Sequence, residues 1–66
     1  MIGKRIRELR IEFKISQETL AKAIGVHSSA VSLWESGTNE PKASYIVGLA
    51  KFFNVTSDYL LGLSDE

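Results

Sequence analysis

The chain of 66 residues is long enough for one small domain, and we expect residues 1–66 to form a single unit. Eight basic and eight acidic side chains leave no net charge, and the lack of cysteine excludes disulfides and cysteine-based zinc sites. The single histidine, His27, cannot build a metal site alone, and no apolar run approaches the roughly 18 residues of a membrane span. We therefore expect a soluble, cytoplasmic protein without a membrane segment, metal or cofactor.

The charged residues are unevenly distributed along the chain. Residues 1–22 carry six basic and three acidic side chains, a net charge of +3, whereas residues 23–66 carry two basic and five acidic ones, a net charge of −3. Zero net charge overall argues against a nucleic-acid binder, but the basic N-terminal third leaves that function open. A solvated surface of mixed charge explains the same pattern equally well.

Apolar spacing and capping residues predict the first two helices. Four apolar side chains recur at intervals of four, three and four and so share one helical face: Ile2, Ile6, Leu9 and Phe13. Ser16 is a good N-cap for a second helix over residues 17–24, and Gly25 can adopt the left-handed backbone that ends it.

The connection to the third helix is unusually short. Only residues 25–27 separate the second helix from Ser28, and two helices joined so tightly cross steeply, as in a helix-turn-helix unit. We expect this unit to cover about residues 17–36, with Val31 and Trp34 facing the core.

Two further helices follow a polar gap that contains Pro41. Apolar residues from Tyr45 onwards predict a fourth helix that ends at Asn54, and Thr56 caps a short fifth helix that Gly62 stops. No stretch alternates long enough for a strand. The sequence therefore predicts an all-α, compact five-helix bundle.

These features together resemble a known family, the Cro/cI-type helix-turn-helix domain of the XRE family of bacterial and phage regulators. The resemblance spans Ile2 to about Leu63 and is carried by the order IGKRIRELR…SQETLAKAIGV…AVSLWESGTNEPKASYIVGLAKFFNVTSDYLLG. It implies a lambda-repressor-like fold that binds double-stranded DNA as a homodimer on a palindromic operator, in most cases as a repressor. Recognition helix 28–36 would enter the major groove.

The resemblance also implies which residues contact DNA. Ser28, Ser29 and Ser32 occupy base-reading positions, and Leu33 beside them could touch a thymine methyl group. Gln17 stands at a helix N-terminus, where the family commonly contacts a phosphate. Ser28 and Ser29 could instead satisfy free N–H groups of the first helical turn, and Gln17 could be an ordinary exposed residue.

The third helix contains no arginine, lysine or glutamine, so attraction to phosphates must come from residues elsewhere. We expect four further residues to contact phosphates: His27, Lys14, Lys22 and Lys42. His27 would in addition act as an N-cap. Lys14 stands where glycine or asparagine often ends the first helix, which predicts a left-handed backbone at that position.

Arg10 and Glu35 occupy positions that often form a partly buried ion pair in relatives. Arginine suits such a pair because its planar fork can bond a carboxylate at two points. Two solvated surface charges are the alternative interpretation.

A second functional hypothesis keeps the same fold but assigns it to protein binding, as an interaction module or an antitoxin. Tyr59, Leu63 and Ile11 would then be the contact residues. Enzymatic activity is not expected, because His27 and Glu35 form no nucleophile–base arrangement and the chain has no glycine-rich phosphate loop.

Overall fold

The computed structural model describes residues 2–65, and within them the chain forms five α-helices and no strand. The all-α prediction is thereby confirmed. None of the described helices is both long and apolar enough to cross a bilayer. In chain order the helices are α1 (Ile2–Glu12), α2 (Gln17–Ile24), α3 (Ser28–Ser36), α4 (Ala43–Phe53) and α5 (Ser57–Leu60).

The helix ends follow from local chemistry. The Ser16 hydroxyl accepts the backbone N–H of Thr19 at 3.0 Å, and the Thr56 hydroxyl accepts that of Tyr59 at 3.0 Å, so both predicted N-caps are confirmed. Gly25, with a φ of 86°, ends α2 in the left-handed conformation that favours glycine. The left-handed backbone of Gly25 turns the chain at once, so only three residues separate α2 from α3.

The chain reverses direction after α1 at Lys14, which has a φ of 58° as expected. A left-handed backbone costs a residue with a side chain roughly 1–2 kcal/mol. The reversal brings the carbonyl of Ile15 to 3.0 Å from Nη1 of Arg10, which donates a hydrogen bond to it. This strained turn thus helps to hold Arg10 in place.

The core is one cluster that draws on all five helices. Helix α3 packs against α1 and α2, α4 packs against α2 and α5, and α5 also contacts α1. Burial of a large aliphatic or aromatic side chain contributes about 1.5–3 kcal/mol. The buried apolar residues are Ile2, Ile6, Leu9, Leu20, Ala21, Val31, Trp34, Leu49, Ala50, Phe53 and Leu60.

Phe13 is far less deeply buried than the other three residues of the predicted apolar face of α1. Helix α1 ends at Glu12, so Phe13 lies in the turn and its side chain is 45% exposed. Its ring contacts the edge of Phe53, with the centroids 5.0 Å apart, and lies 6.3 Å from Phe52. The backbone N–H of Phe13 still donates to the carbonyl of Leu9 at 2.9 Å, as in a helix, so Phe13 keeps to the same face and covers the rim of the core.

Gly3 sets the distance between α1 and the end of α3. A Cβ atom on Gly3 would lie 1.9 Å from the carbonyl oxygen of Trp34, far inside van der Waals contact. Only glycine allows the two backbones to approach this closely. The helical spacing of the sequence does not reveal this role, because Gly3 stands next to Ile2 in an otherwise ordinary first turn.

Candidate nucleic-acid interface

One face of α3 is turned away from the core. With 3.6 residues per helical turn, Val31 and Trp34 point inward and are buried, and Ser29, Ser32 and Leu33 lie on the other side and are exposed. Leu33 is 38% exposed and adds an apolar side chain to this otherwise polar face. Ser28 is half-buried at the edge of this face. The structure thus places three of the four predicted base-reading residues on one accessible surface and the fourth beside it.

Ser36 is a further hydroxyl on the outward face that the sequence-based prediction omitted. Its Oγ donates to the carbonyl of Leu33 at 3.0 Å and lies 2.9 Å from Oγ1 of Thr38. The helical spacing contained the signal, since Ser36 stands four residues after Ser32 and seven after Ser29.

His27 caps α3, as predicted. Its Nδ1 accepts the backbone N–H of Ser29 at 3.1 Å and lies 2.9 Å from the Ser29 hydroxyl oxygen. Nδ1 thus serves as the acceptor that caps the first turn of α3. The Ser29 hydroxyl lies beside this cap on the exposed side of the helix.

Replacing His27 with alanine is expected to lower the free energy of unfolding by about 1 kcal/mol, because the cap of α3 is lost. His27→Ser should remain close to the parent, since serine can accept the same N–H. Thermal unfolding of the two variants at one pH near neutrality measures the difference. Equal melting temperatures for His27→Ala and the parent protein would show that the imidazole cap does not stabilise α3.

Arg10 and Glu35 form a two-point ion pair between α1 and α3. Arg10 Nε donates to Oε2 of Glu35 at 2.7 Å, and Nη2 donates to Oε1 at 3.0 Å. The Glu35 side chain is only 4% exposed and that of Arg10 is 15% exposed. The hydrogen bond to Glu35 raises the pKa of Arg10 above its usual value, even though burial acts in the opposite direction. The predicted ion pair is confirmed, and the alternative of two solvated charges is wrong.

Gln17 belongs to the same cluster. Its Nε2 donates to Oε1 of Glu35 at 3.1 Å, so the side chain is not the ordinary exposed residue that was the alternative interpretation. An amide nitrogen carries two hydrogens, and the second remains available to a phosphate oxygen. The bond to Glu35 holds Gln17 in position at the start of α2.

Two open depressions flank α3. The first is lined by Arg7, Gln17, Ser32, Glu35 and Ser36. The second lies on the other flank and is lined by Val26, Ala30, Trp34, Asn39, Glu40, Lys42 and Tyr45. The structure therefore brings Gln17 next to Ser32 and sets Lys42 on the opposite flank, while Lys14 and Lys22 are exposed but line neither depression.

The residues of the protein-binding hypothesis are differently exposed. Leu63 is 75% and Ile11 53% exposed. Tyr59 is half-buried, and the Arg5 guanidinium lies over its ring, 4.2 Å from the centroid.

Residues 2–65 contain no group of three or more histidine, aspartate or glutamate side chains that could hold a metal ion.

Helices α2 and α3 pack together across a short turn with a left-handed glycine, and the second helix has a polar outward face. These features define a helix-turn-helix DNA-binding domain. A family model described as helix-turn-helix matches residues 6–60. The chain belongs to the XRE family of helix-turn-helix transcription regulators.

Curated relatives agree with this assignment. The chain is 39% identical over 61 residues to repressor protein C2 of Salmonella phage P22, covering 92% of this chain and 28% of that protein. It is 40% identical over 55 residues to the cryptic phage CTXphi repressor RstR of Vibrio cholerae, covering 83% of this chain and 50% of that protein. It is 36% identical over 66 residues to the regulator YobD of Bacillus subtilis, covering 100% of this chain and 59% of that protein. The chain thus spans between about a quarter and three fifths of these relatives' lengths.

Solved structures confirm the lambda-repressor-like fold. The P22 c2 repressor in complex with a synthetic operator superposes with a TM-score of 0.91 at 38% identity, over 97% of each chain. The restriction-modification controller protein C.AhdI of Aeromonas hydrophila superposes with a TM-score of 0.82 at 36% identity, over 89% of each chain.

Proposed function

We propose that this chain is a sequence-specific transcriptional repressor that places α3 in the major groove of double-stranded DNA. The exposed row of Ser29, Ser32 and Leu33 on α3 carries the proposal. Structural similarity to a repressor–operator complex over 97% of both chains supports it, as do relatives that are named repressors. The major groove of B-form DNA is wide enough to admit an α-helix, and the four base pairs present different hydrogen-bonding patterns there.

The outward residues suit particular base edges. The Ser29 hydroxyl can accept from the exocyclic amino group of adenine or cytosine, or donate to an acceptor atom of guanine or thymine. Leu33 offers an apolar surface for the methyl group of thymine. Ser28 and Ser32 can donate or accept, so each discriminates weakly alone, and DNA shape and bridging water contribute the rest.

Phosphate contacts fix the register of α3 in the groove. Gln17 contributes its second amide N–H, and His27 contributes Nε2–H from the cap of α3. Lys42 approaches from the opposite flank, whereas Lys14 and Lys22 act by long-range attraction.

Two copies bind one palindromic operator. A single α3 reads only a few base pairs, so a second copy on an adjacent half-site multiplies both affinity and sequence discrimination. Val47, Leu61 and Leu63 provide exposed apolar surface in the C-terminal part of the domain, where copies could meet.

Selection of bound sequences from a random DNA pool tests the function. We expect the protein to enrich a palindromic consensus, and the double variant Ser29→Ala/Ser32→Ala to enrich a consensus with at least two blurred positions, since each lost base contact removes about 1–3 kcal/mol of discrimination. Ser57→Ala is the matched control, because it removes an exposed hydroxyl from the first turn of α5 and should leave the consensus intact.

Failure of this proposal has a clear signature. Folded protein, verified by circular dichroism, that enriches no sequence at low salt contradicts DNA recognition. A consensus without symmetry, bound by one copy in sedimentation experiments, contradicts the homodimer alone.

The second candidate is a protein-interaction module or antitoxin, favoured by the large exposure of Leu63 and Ile11. It is the weaker candidate because Tyr59, the aromatic residue of that surface, is half-buried beneath Arg5. The same selection separates the two functions, since an interaction module leaves the DNA pool unenriched.

A further inference from the structure

We infer that Arg7 is an additional DNA-backbone contact and that it holds a phosphate at the depression between α1, α2 and α3. The inference rests on the proposed function and adds to it a residue of α1, outside the helix-turn-helix unit. Arg7 lines this depression together with Gln17 of α2 and Ser32 and Ser36 of α3.

Within residues 2–65, Arg7 is the arginine whose guanidinium has no side-chain partner. Arg10 is held by Glu35, and Arg5 lies over the Tyr59 ring and within 3.9 Å of a carboxylate oxygen of Asp65. Arg7 is exposed and makes no ion pair with any residue in the range 2–65. Its guanidinium fork is therefore available to an external anion, and the geometry of that fork matches two phosphate oxygens.

The surroundings of Arg7 favour an anion despite the presence of a carboxylate. Both Glu35 oxygens are occupied by three N–H donors from Arg10 and Gln17, and the Glu35 side chain is 4% exposed. Arg7, Arg10 and Glu35 together leave a net charge of +1 at the depression. The free N–H of Gln17 and the start of α2, the positive end of its dipole, add to the attraction.

The position of Arg7 indicates a phosphate rather than a base edge. Helix α1 packs against α3 but lies outside the helix-turn-helix unit. We therefore expect a side chain from α1 to reach the DNA strand at the border of the groove and not its floor. Ser32 belongs both to this depression and to the outward face of α3. A phosphate held by Arg7 therefore lies next to the bases that α3 reads, and it sets how deeply α3 enters the groove.

Salt-dependent binding to a random-sequence duplex and to the selected operator tests this contact. For Arg7→Ala we expect the slope of log K against log salt to become shallower by about 0.9 for each bound protomer, with several-fold weaker binding on both duplexes. Arg7→Lys should restore most of the slope, since it keeps the charge. Lys51→Ala is the matched control, because it removes an exposed cation from the last turn of α4 and should leave the slope nearly unchanged.

The outcomes distinguish failure of the Arg7 contact from failure of the proposed function. An unchanged slope for folded Arg7→Ala overturns the inference and leaves the proposed function standing. A lower melting temperature with an unchanged slope overturns it as well, because it assigns Arg7 a structural role. Absence of DNA binding by the parent protein overturns the proposed function itself.

Discussion

Replacing Arg10 with methionine is expected to lower the free energy of unfolding by about 3–5 kcal/mol, enough to unfold a large fraction of a domain this small. The substitution leaves the Glu35 carboxylate inside the protein, 4% exposed, with Gln17 as its remaining hydrogen-bond donor. The buried Glu35 carboxylate would then lack both hydration by water and the stabilising charge of the Arg10 guanidinium. Urea unfolding followed by tryptophan fluorescence measures the loss, since Trp34 lies directly before Glu35 and is buried.

The double variant Arg10→Met/Glu35→Leu separates charge burial from packing. We expect it to recover most of the stability lost in Arg10→Met, because an apolar pair of similar volume carries no desolvation penalty. The ion pair would then be a device that orients α1, α3 and Gln17 more than a source of net stability. A double variant as unstable as Arg10→Met alone would show that the loss comes from packing of the arginine stem.

Replacing Gly3 with alanine is expected to be the most destabilising single-methyl change in the chain, at about 3 kcal/mol. The added Cβ would lie 1.9 Å from the carbonyl oxygen of Trp34 and 2.9 Å from its carbonyl carbon, and backbone atoms cannot rotate out of the way. Helix α1 must therefore move away from the end of α3. Thermal unfolding reports the lost stability, and amide exchange in α1 reports where the packing opens.

Gly48→Ala is the matched control for Gly3→Ala. Gly48 lies inside α4, and a Cβ there would meet the Cδ1 atom of Ile24 at 3.8 Å, an ordinary contact. The substitution should stabilise the domain by about 0.5–1 kcal/mol, because alanine loses less conformational freedom in a helix. The same chemical change is thus expected to have opposite signs at two positions. Equal effects at both would contradict the close approach of α1 to α3.

The linear sequence determined what depends on neighbours within one or two helical turns. The capping hydroxyls of Ser16 and Thr56 and the left-handed positions of Gly25 and Lys14 are local choices of the backbone, and all four occur as predicted. The short turn after α2 likewise required only three consecutive residues to be recognised. The Arg10–Glu35 ion pair joins residues that are 25 positions apart, and it was predicted from the resemblance to the XRE family.

Only the tertiary structure decided which residues from different helices share a surface. Phe13 continues the apolar spacing of α1 but is 45% exposed, because helical periodicity does not show how fully other helices cover each position of a face. The role of Gly3 depends on how closely α1 passes the carbonyl of Trp34. Arg7 and Gln17 line the same depression because α1, α2 and α3 pack together there. Distances of this kind are set by packing of the whole core, and sequence spacing alone does not contain them.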